Sequence, residues 1–452
     1  MGRTGKAVTI AALFCAAFVA AAPALGARLD PTFGRGGSYA VATPVHDGET
    51  PYTSMHLALA PGGASYVQQG SWILAFGANG KPYLGFGKRG RMLVTPKGGK
   101  LTEVGGVTVD SRGRVLVSGT LNPAGIPTAE ELGIEAREVT EAFVIRYLPD
   151  GSLDPTFGNG GEVDTTFGLP TPPVAAELPG PYRRPSVMAR QIAVDAQGRP
   201  VVAVVSRVSE SPCVGDAGQI LQAFLARLNP DGSIDTSFGG SGTGYANLEG
   251  EYTTALIPAP AGAWATVARP LCAEIGRPTL RPPGPLSSLD QGGAPLPGLD
   301  PARPPLRVGP AFAVDGQGRI VYAEERPKHE APARVFRLLA NGDPDTSFGQ
   351  GGSVGLGRVG GEYVGGIAID GKGRIVVNFS ATQLAITRLA PSGRIETGFG
   401  HGGAVETKLP GTVLGQAVAI DSRGRILAAG EIWTGSLKTD KGVAIARFLP
   451  GS

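Results

Sequence analysis

The sequence predicts an all-β fold, a single β-propeller built from four-stranded blades. A short motif that contains Phe-Gly occurs six times. A second pattern lies between the copies and consists of an acid, a Gly-containing turn and a β-branched run. With 71 glycines and 39 prolines in 452 residues, the chain has the turns that many short strands need. Short strands in modules of roughly 50 to 60 residues are typical of propeller blades.

The first element is the Phe-Gly motif, whose clearest copy runs from Gly151 to Gly161. Pro, Asp and Gly open it as turn residues, an acid follows, and a closing Gly-Gly pair ends it. The second glycine of that pair is kept in every copy, which indicates a backbone conformation that a Cβ would forbid. The Phe is expected to be buried between modules, contributing on the order of 1.5–3 kcal/mol. The copies centre on Phe33, Phe86, Phe157, Phe238, Phe348 and Phe399.

The second element is a hairpin pattern, which begins at Asp110, Asp195, Asp315, Asp370 and Asp421. Alternating apolar residues around a short glycine turn predict a β-hairpin. Degenerate copies occur at 60–63 and 259–262, so the chain has seven hairpins. Seven blades are therefore expected, with six or eight as alternatives. Within a module, the first strand is placed directly after the motif, as at 352–354, and the fourth at 384–389.

The fourth blade is predicted to be degenerate because residues 276–310 contain ten prolines and no copy of the motif. Proline cannot donate to a strand ladder. An irregular excursion is expected where strand four of that blade and strand one of the next would otherwise run.

Residues 1–27 are predicted to be a signal peptide, leaving 28–452 as the propeller. Arg3 and Lys6 precede an apolar run from Ala7 to Ala22, which is shorter than a spanning helix needs. We therefore expect secretion to the extracellular space without a transmembrane anchor. Lipid attachment at Cys15 is the less favoured alternative, because this cysteine lies too early in the apolar run.

The formal net charge is only +3, and no basic stripe with interleaved aromatics is present. This argues against binding to nucleic acid. Modules that bury their faces only against neighbours form one continuous body, so we expect a monomer.

The combined patterns, Asp-x-x-Gly-Arg hairpins and Gly-Ser-Leu-Asp-x-Thr/Ser-Phe-Gly-x-Gly-Gly motifs, resemble the delta-60 repeat propellers of secreted bacterial proteins. The resemblance covers nearly all of 28–452. It implies the propeller fold and export, and it transfers no catalytic residues because that family has no agreed activity.

No catalytic, cofactor-binding or metal-binding residues are predicted, and no cofactor is expected. Gly351 to Gly355 fits a hydrolase nucleophile spacing but lacks the strand-turn-helix context. The histidines His46, His56, His329 and His401 have no metal-ligand spacing. The sequence therefore favours a binding or scaffold module. The alternative is an extracellular glycan-active hydrolase or lyase, which would need carboxylates from different blades to converge in a pocket, one with a raised pKa.

An arginine stands eight residues before the motif acid in four copies, and the copy that lost this arginine, at Ala75, has also lost the acid, at Tyr83. This coincidence predicts ion pairs, completed by one between the two ends of the chain. The hairpin acids Asp110, Asp195, Asp315 and Asp370 are the alternative partners. The favoured pairs are Arg146–Asp154, Arg227–Asp235, Arg337–Asp345, Arg388–Glu396 and Arg447–Asp30.

Residues 28–452 keep two cysteines, Cys213 and Cys272, both placed after strand three of successive blades. An even number in an exported protein predicts a disulfide between blades three and four. Two free thiols are the alternative, because the intervening loops are long.

The segments that vary in length between modules should emerge on one face, opposite the repeated motifs. They are 120–141, 167–185, 207–222 and 431–442. Recognition usually resides on variable loops of a rigid scaffold, so an unknown extracellular ligand, polysaccharide or protein, is expected there. Tyr182, Arg183 and Arg184 are the candidate contact residues. The alternative is that these loops merely tolerate insertion.

Overall fold

The computed structural model describes residues 27–43, 55–127, 139–169, 185–210, 219–240, 242–248, 252–259, 262–268, 286–294, 308–324, 333–357, 363–380, 383–433 and 441–451. The extended segments of these ranges form seven antiparallel sheets, six with four strands and one with three. No helix within these ranges has the length and apolar character needed to cross a membrane. Repeated four-stranded antiparallel sheets are the architecture of a β-propeller, as the sequence predicts.

The first three sheets each contain four strands that pair in chain order. Their strands are β2 (Met55–Leu59), β3 (Ser65–Gln69), β4 (Trp72–Phe76) and β5 (Arg91–Leu93); β6 (Gly99–Val109), β7 (Val115–Pro123), β8 (Glu141–Tyr147) and β9 (Glu162–Thr165); and β10 (Val187–Val194), β11 (Pro200–Glu210), β12 (Gln219–Arg227) and β13 (Tyr245–Asn247).

The next three sheets follow the same order, although the first of them has three strands within the described part of the chain. Their strands are β14 (Tyr252–Ala259), β15 (Gly262–Ala268) and β16 (Leu286–Asp290); β17 (Val308–Val314), β18 (Ile320–Glu324), β19 (Arg334–Leu338) and β20 (Ser353–Gly355); and β21 (Tyr363–Ile369), β22 (Ile375–Ser380), β23 (Leu384–Leu389) and β24 (Ala404–Glu406).

The last sheet joins the two ends of the chain. It contains β25 (Thr412–Ile420), β26 (Ile426–Trp433), β27 (Lys441–Phe448) and, at its outer edge, β1 (Ser38–Ala42). Ser38 pairs with Ala446, and a further bridge joins Leu29 to Phe448. The two ends of the chain therefore meet in one sheet, as the predicted pair Arg447–Asp30 requires.

The sheets are offset by one strand from the expected modules. Residues 353–355, which the sequence places as the first strand of a module, form β20 and pair with β19 of the preceding sheet. The reason is local, because the Gly352 carbonyl accepts a hydrogen bond from Arg337 N at 2.9 Å. The motif thus returns the chain beside the strand that it has just left, and each motif closes its own sheet.

The Pro-rich range is less irregular than the sequence predicts. Strand β16 (286–290) and the start of β17 (308–314) both lie inside 276–310. A third strand forms there because residues 286–290 pair with 262–266 of β15. Residues 269–285 and 295–307 lie outside the described part of the chain.

The first strand of each sheet contacts the first strand of the next. These contacts run through all seven sheets and return from the last to the first, in the order β2, β6, β10, β14, β17, β21, β25 and β2. Six of these strands, all except β2, carry a break in register against their partner strand.

The core lies in the seams between neighbouring sheets, where the motif phenylalanines are buried as predicted. Phe33 of the closing sheet packs with Leu427 of its own sheet and with Val67 and Leu74 of the next. All six motif phenylalanines are at most 2% exposed. Each copy therefore contributes one aromatic anchor to a seam, and the molecule is held together sheet by sheet.

Candidate functional site

The arginines and motif acids form the predicted ion pairs. Arg146 Nε lies 2.8 Å from Asp154 Oδ2, and the two residues are 2% and 3% exposed. Asp154 Oδ1 accepts hydrogen bonds from Thr156 N and Oγ1, at 3.0 and 2.7 Å. Equivalent pairs join Arg227 to Asp235 at 2.7 Å, Arg337 to Asp345 at 2.7 Å, Arg447 to Asp30 at 2.8 Å, and Arg388 to Glu396.

The hairpin acids have different partners, which sequence reasoning missed. Asp110 Oδ2 accepts a hydrogen bond from Arg114 Nε at 2.6 Å, and Arg114 Nη1 continues to Asp154 at 3.2 Å. The sequence feature that could have predicted these pairs is the arginine four residues after each hairpin acid. The same pairs occur at Asp195–Arg199, Asp315–Arg319, Asp370–Arg374 and Asp421–Arg425.

Each motif arginine also connects its sheet to the next one. Arg146 Nη1 donates to the Pro230 carbonyl at 2.5 Å, and the guanidinium lies 4.4 Å from the centre of the Phe157 ring. Beside it, Gly158 N donates to the Asp231 carbonyl at 2.7 Å. Arg227, Arg337, Arg388 and Arg447 reach the backbones of Gln291, Pro391, Pro450 and Ala78 in the same way. The pairs are thus part of a structural clamp between sheets.

The four aspartates of the clamp remain charged well below neutral pH. Burial by itself raises the pKa of Asp154, but hydrogen bonds from Thr156 and the charge of Arg146 outweigh it, and the pKa falls to about 2. The pKa values of Asp30, Asp235 and Asp345 are lowered in the same way. Carboxylates that are held this strongly in the charged form stabilise the fold and are poorly suited to proton transfer.

The closing glycines behave as predicted, with one exchange of position. Gly161 has φ +105°, and a Cβ there would lie 2.8 Å from Leu153 Cβ. In the fourth copy, Gly244 takes this place instead of Gly242, because its carbonyl accepts from Arg227 N at 3.1 Å. This copy therefore has two more residues between its Phe-Gly pair and its closing glycine, and the backbone hydrogen bond to the motif arginine is kept.

The predicted disulfide cysteines, Cys213 and Cys272, and the candidate contact residues, Tyr182, Arg183 and Arg184, lie outside the described part of the chain. So do His46 and His329, for which no site is predicted, and residues 1–26 of the predicted signal peptide. Among the residues that are described, no group of three or more His, Cys, Asp or Glu is placed to hold a metal ion.

One face of the molecule, here called the motif face, carries the hairpin turns and the Phe-Gly connections. It contains a depression of about 700 Å³, lined by the turns 60–63, 109–111 and 420–423 of three consecutive sheets. The middle turn lacks the charged pair of its neighbours, since Ala60 and Ala64 stand where Asp110 and Arg114 stand in the next sheet. The depression therefore lies where the repeat has lost its long side chains.

The opposite face, here called the variable face, carries the ends of the predicted variable loops. Thr140, which follows one loop, hydrogen-bonds to Ser186, which follows the next, with 2.8 Å between their hydroxyl oxygens. Val187 N also donates to the Thr140 carbonyl at 3.0 Å. Phe167, at the start of the second loop, is fully buried with φ +54°. This backbone conformation is costly for a bulky residue and is held by packing.

An acidic pair lies beside these loop ends. Asp164 lies two residues after Glu162 on β9, against Gly98, where a Cβ would come 1.9 Å from Asp164 Oδ2. Burial of its carboxyl raises the pKa of Asp164 to about 7, and a hydrogen bond with Glu162 and the charge of Glu141 add to the shift. Glu162 accepts hydrogen bonds from Lys97 N and Gly98 N, at 2.7 and 3.2 Å. Sequence reasoning missed this pair, because both acids look like ordinary strand residues.

The innermost strands carry a smaller polar group. Arg190 Nη1 lies 2.7 Å from Glu103 Oε2, joining β10 to β6. His56 Nδ1 is 2.8 Å from Gln68 Oε1, and burial of the ring lowers the pKa of His56. A neutral imidazole beside an already paired carboxylate gives no nucleophile or metal site.

Two parts of the sequence match a protein-family model described as a domain of unknown function (DUF5122) beta-propeller. They are residues 136–157 and 214–238, which end at the motif phenylalanines Phe157 and Phe238. The match supports a β-propeller family for this chain. It does not distinguish the delta-60 repeat group within such propellers. A search of curated proteins finds no match.

Solved structures resemble the chain only distantly. A protein of unknown function from Dyadobacter fermentans has 10% identity and a TM-score of 0.38, covering 91% of this chain and 99% of that one. A gluconolactonase from Xanthomonas campestris has 12% identity and a TM-score of 0.34, with the same coverage. A calcium-binding regucalcin from Agrobacterium tumefaciens has 10% identity and a TM-score of 0.33, covering 90% and 95%. Likeness at this level supplies no argument about activity.

Proposed function

We propose that this protein is an exported, monomeric seven-bladed β-propeller that binds an extracellular polysaccharide or protein on its variable face. The finer family assignment, to the delta-60 repeat propellers of secreted bacterial proteins, is part of the proposal. The contacts between the first strands, which run through seven sheets and return to the start, support a closed seven-bladed ring.

The observation that carries the proposal is the pairing of the loop ends at Thr140 and Ser186. These two loop ends meet at the seam between two sheets, so two predicted variable loops end beside each other. The motif acids and their arginines, by contrast, are already satisfied by each other and by backbone carbonyls. A rigid scaffold from which variable loops emerge suits recognition.

The first test is retention of the purified protein on cell-wall and polysaccharide fractions, scored together with release of reducing sugar. Retention without release is expected for a binding module. The second test replaces the loop after Phe167, up to Pro185, by a short Gly-Ser linker. We expect loss of retention with little change in Tm, because the loop ends remain held by Phe167 and Ser186. Unchanged retention in this variant would contradict binding through the loop.

A second candidate function, glycan hydrolysis or lysis, is favoured by one observation, the raised pKa of Asp164. A carboxyl with a pKa of about 7 can donate a proton to a leaving group at neutral pH. Both acids lie on β9, so they do not converge from different blades. Under this candidate, sugar release would fall in Asp164→Asn and persist in Asp150→Asn, an exposed turn variant of the same sheet.

A further inference from the structure

We propose that the depression on the motif face is a second binding site, for a uronic acid residue of an acidic polysaccharide. The site lies on the opposite face from the loop site proposed above and uses none of its residues. It follows from how one sheet departs from the repeat.

The depression lies beside a sheet that has lost its charged pairs. In the β2–β5 sheet, Ala60 and Ala64 stand in place of the hairpin acid and arginine, and Ala75 and Tyr83 stand in place of the motif arginine and acid. The neighbouring sheets keep all four groups as ion pairs. The depression next to the uncharged turn 60–63 has a volume of about 700 Å³, which is in the range of small-molecule sites.

Cationic groups line one side of this space. Arg423 is exposed, and no described acid or carbonyl accepts a hydrogen bond from its side chain. Arg425 Nε pairs with Asp421 at 2.7 Å. Its counterpart Arg114 also reaches a motif acid with Nη1, whereas no second ion pair of this kind joins Arg425 to an acid of the described residues. Arg447 is already held by Asp30 and two oxygens, so Arg423 and Arg425 supply the free donors.

The remaining lining suits a hydroxyl-bearing ligand with a single negative charge. Asp110 and Asp421 also line the depression, but their carboxylates already accept hydrogen bonds from backbone N–H groups and from Arg114 and Arg425. Asn79, Ser111 and Ser422 supply amide and hydroxyl groups. Three arginines and two aspartates line the depression, so its formal charge is +1. This charge suits a uronate, which offers one carboxylate to the arginines and hydroxyls to the amide and serine groups, better than a phosphate dianion.

The chain contains a matched control for this site. The turns 110–114 and 421–425 have the same sequence, Asp-Ser-Arg-Gly-Arg. Arg423 lines the depression, whereas Arg112, at the same place in the neighbouring turn, does not. Gly62, in the degenerate turn between them, has an ordinary backbone and open space around a Cβ, so a side chain can be added there.

The test measures binding of an oligogalacturonate to the full chain by titration calorimetry, beside a neutral galactan oligomer of equal length and inorganic phosphate. We expect Arg423→Ala to weaken oligogalacturonate binding about tenfold, the loss of one charge-assisted contact. Gly62→Glu should abolish it, and Arg112→Ala should leave it unchanged. The loop replacement after Phe167 should also leave it unchanged, which separates this site from the one on the variable face.

Three results would overturn the proposal. One is equal binding of the neutral oligomer, another is tighter binding of phosphate than of the uronate, and the third is an equal loss in Arg112→Ala and Arg423→Ala. The absence of any oligogalacturonate binding by the unmodified protein would do the same. Because the Arg423 side chain makes no ion pair or hydrogen bond with any described residue and Gly62 is exposed in an open turn, these variants are expected to fold normally.

Discussion

At the residue scale, the molecule depends on a buried guanidinium that has several acceptors. Arg146 binds a carboxylate, a threonine hydroxyl and a backbone carbonyl of the next sheet, while it lies over an aromatic ring. A buried cation of this kind is stable only while its acceptors are present. The copy that has lost both the arginine and the acid is consistent with this view. There the ring of Phe86 packs against Tyr66, with 5.2 Å between the ring centres.

We expect Asp154→Ala to lower the free energy of unfolding by about 3–5 kcal/mol, because it leaves the buried Arg146 without its carboxylate. Urea unfolding followed by tryptophan fluorescence would measure this change. The control is Asp150→Ala, which removes an exposed acid from the same motif and should have little effect. Equal losses of unfolding free energy in the two variants would show that the buried ion pair stabilises the protein no more than an exposed acid does.

The acidic pair at Asp164 predicts that the stability of the protein depends on pH. The folded state raises the pKa of Asp164 to about 7 from an ordinary value of 3.8, so the folded state binds the proton more tightly. Stability therefore decreases as pH rises from about 4 to 7. We expect Asp164→Asn to raise the Tm at pH 8 and to leave it nearly unchanged at pH 4. A Tm difference that is the same at both pH values would contradict the shift.

At the element scale, the repeat predicted most strands but not their grouping into sheets. The hairpins and the motif were predictable because glycine, proline and aspartate turns punctuate short apolar runs at regular spacing. The assignment of residues 353–355 to the preceding sheet was not, because it depends on a hydrogen bond between Arg337 N and the Gly352 carbonyl. Strand β16 was missed because it lies among prolines and its sequence, Leu-Ser-Ser-Leu-Asp, has only two apolar residues.

The closing sheet should be as strong as an internal one. Asp30 pairs with Arg447 at 2.8 Å and Asp345 pairs with Arg337 at 2.7 Å, and all four residues are buried. We therefore expect Asp30→Ala and Asp345→Ala to lower the Tm by similar amounts, since each leaves a buried arginine unpaired. An Asp30→Ala variant with an unchanged Tm would mean that the N-terminal strand is not docked.

At the scale of the whole molecule, the sequence predicted the sites on the repeated framework better than those outside it. The five ion pairs follow from a spacing that recurs, so each copy supports the others. The depression on the motif face and the acidic pair at Asp164 each occur where one sheet departs from the pattern, and a departure carries no repeated signal. Their geometry depends on which neighbouring side chains happen to be short.

The disulfide between Cys213 and Cys272 remains a prediction at this scale. It would join two blades next to the Pro-rich range, where the repeat is weakest. We expect the purified, non-reduced protein to show no mass increase on alkylation with iodoacetamide, and an increase for two thiols after reduction. Two alkylated cysteines without reduction would contradict the bridge.

The sheet that joins the two ends of the chain also limits when folding can be completed. Asp30 must wait for Arg447, which is made 417 positions later, and closing a segment of this length costs about 5 kcal/mol in chain entropy. Because synthesis starts at the N terminus, the first strand leaves the ribosome long before its partner exists. This sheet therefore cannot be completed until the last strand of the chain has been made. We expect the lifetime of the folded protein to depend on how slowly this one sheet opens.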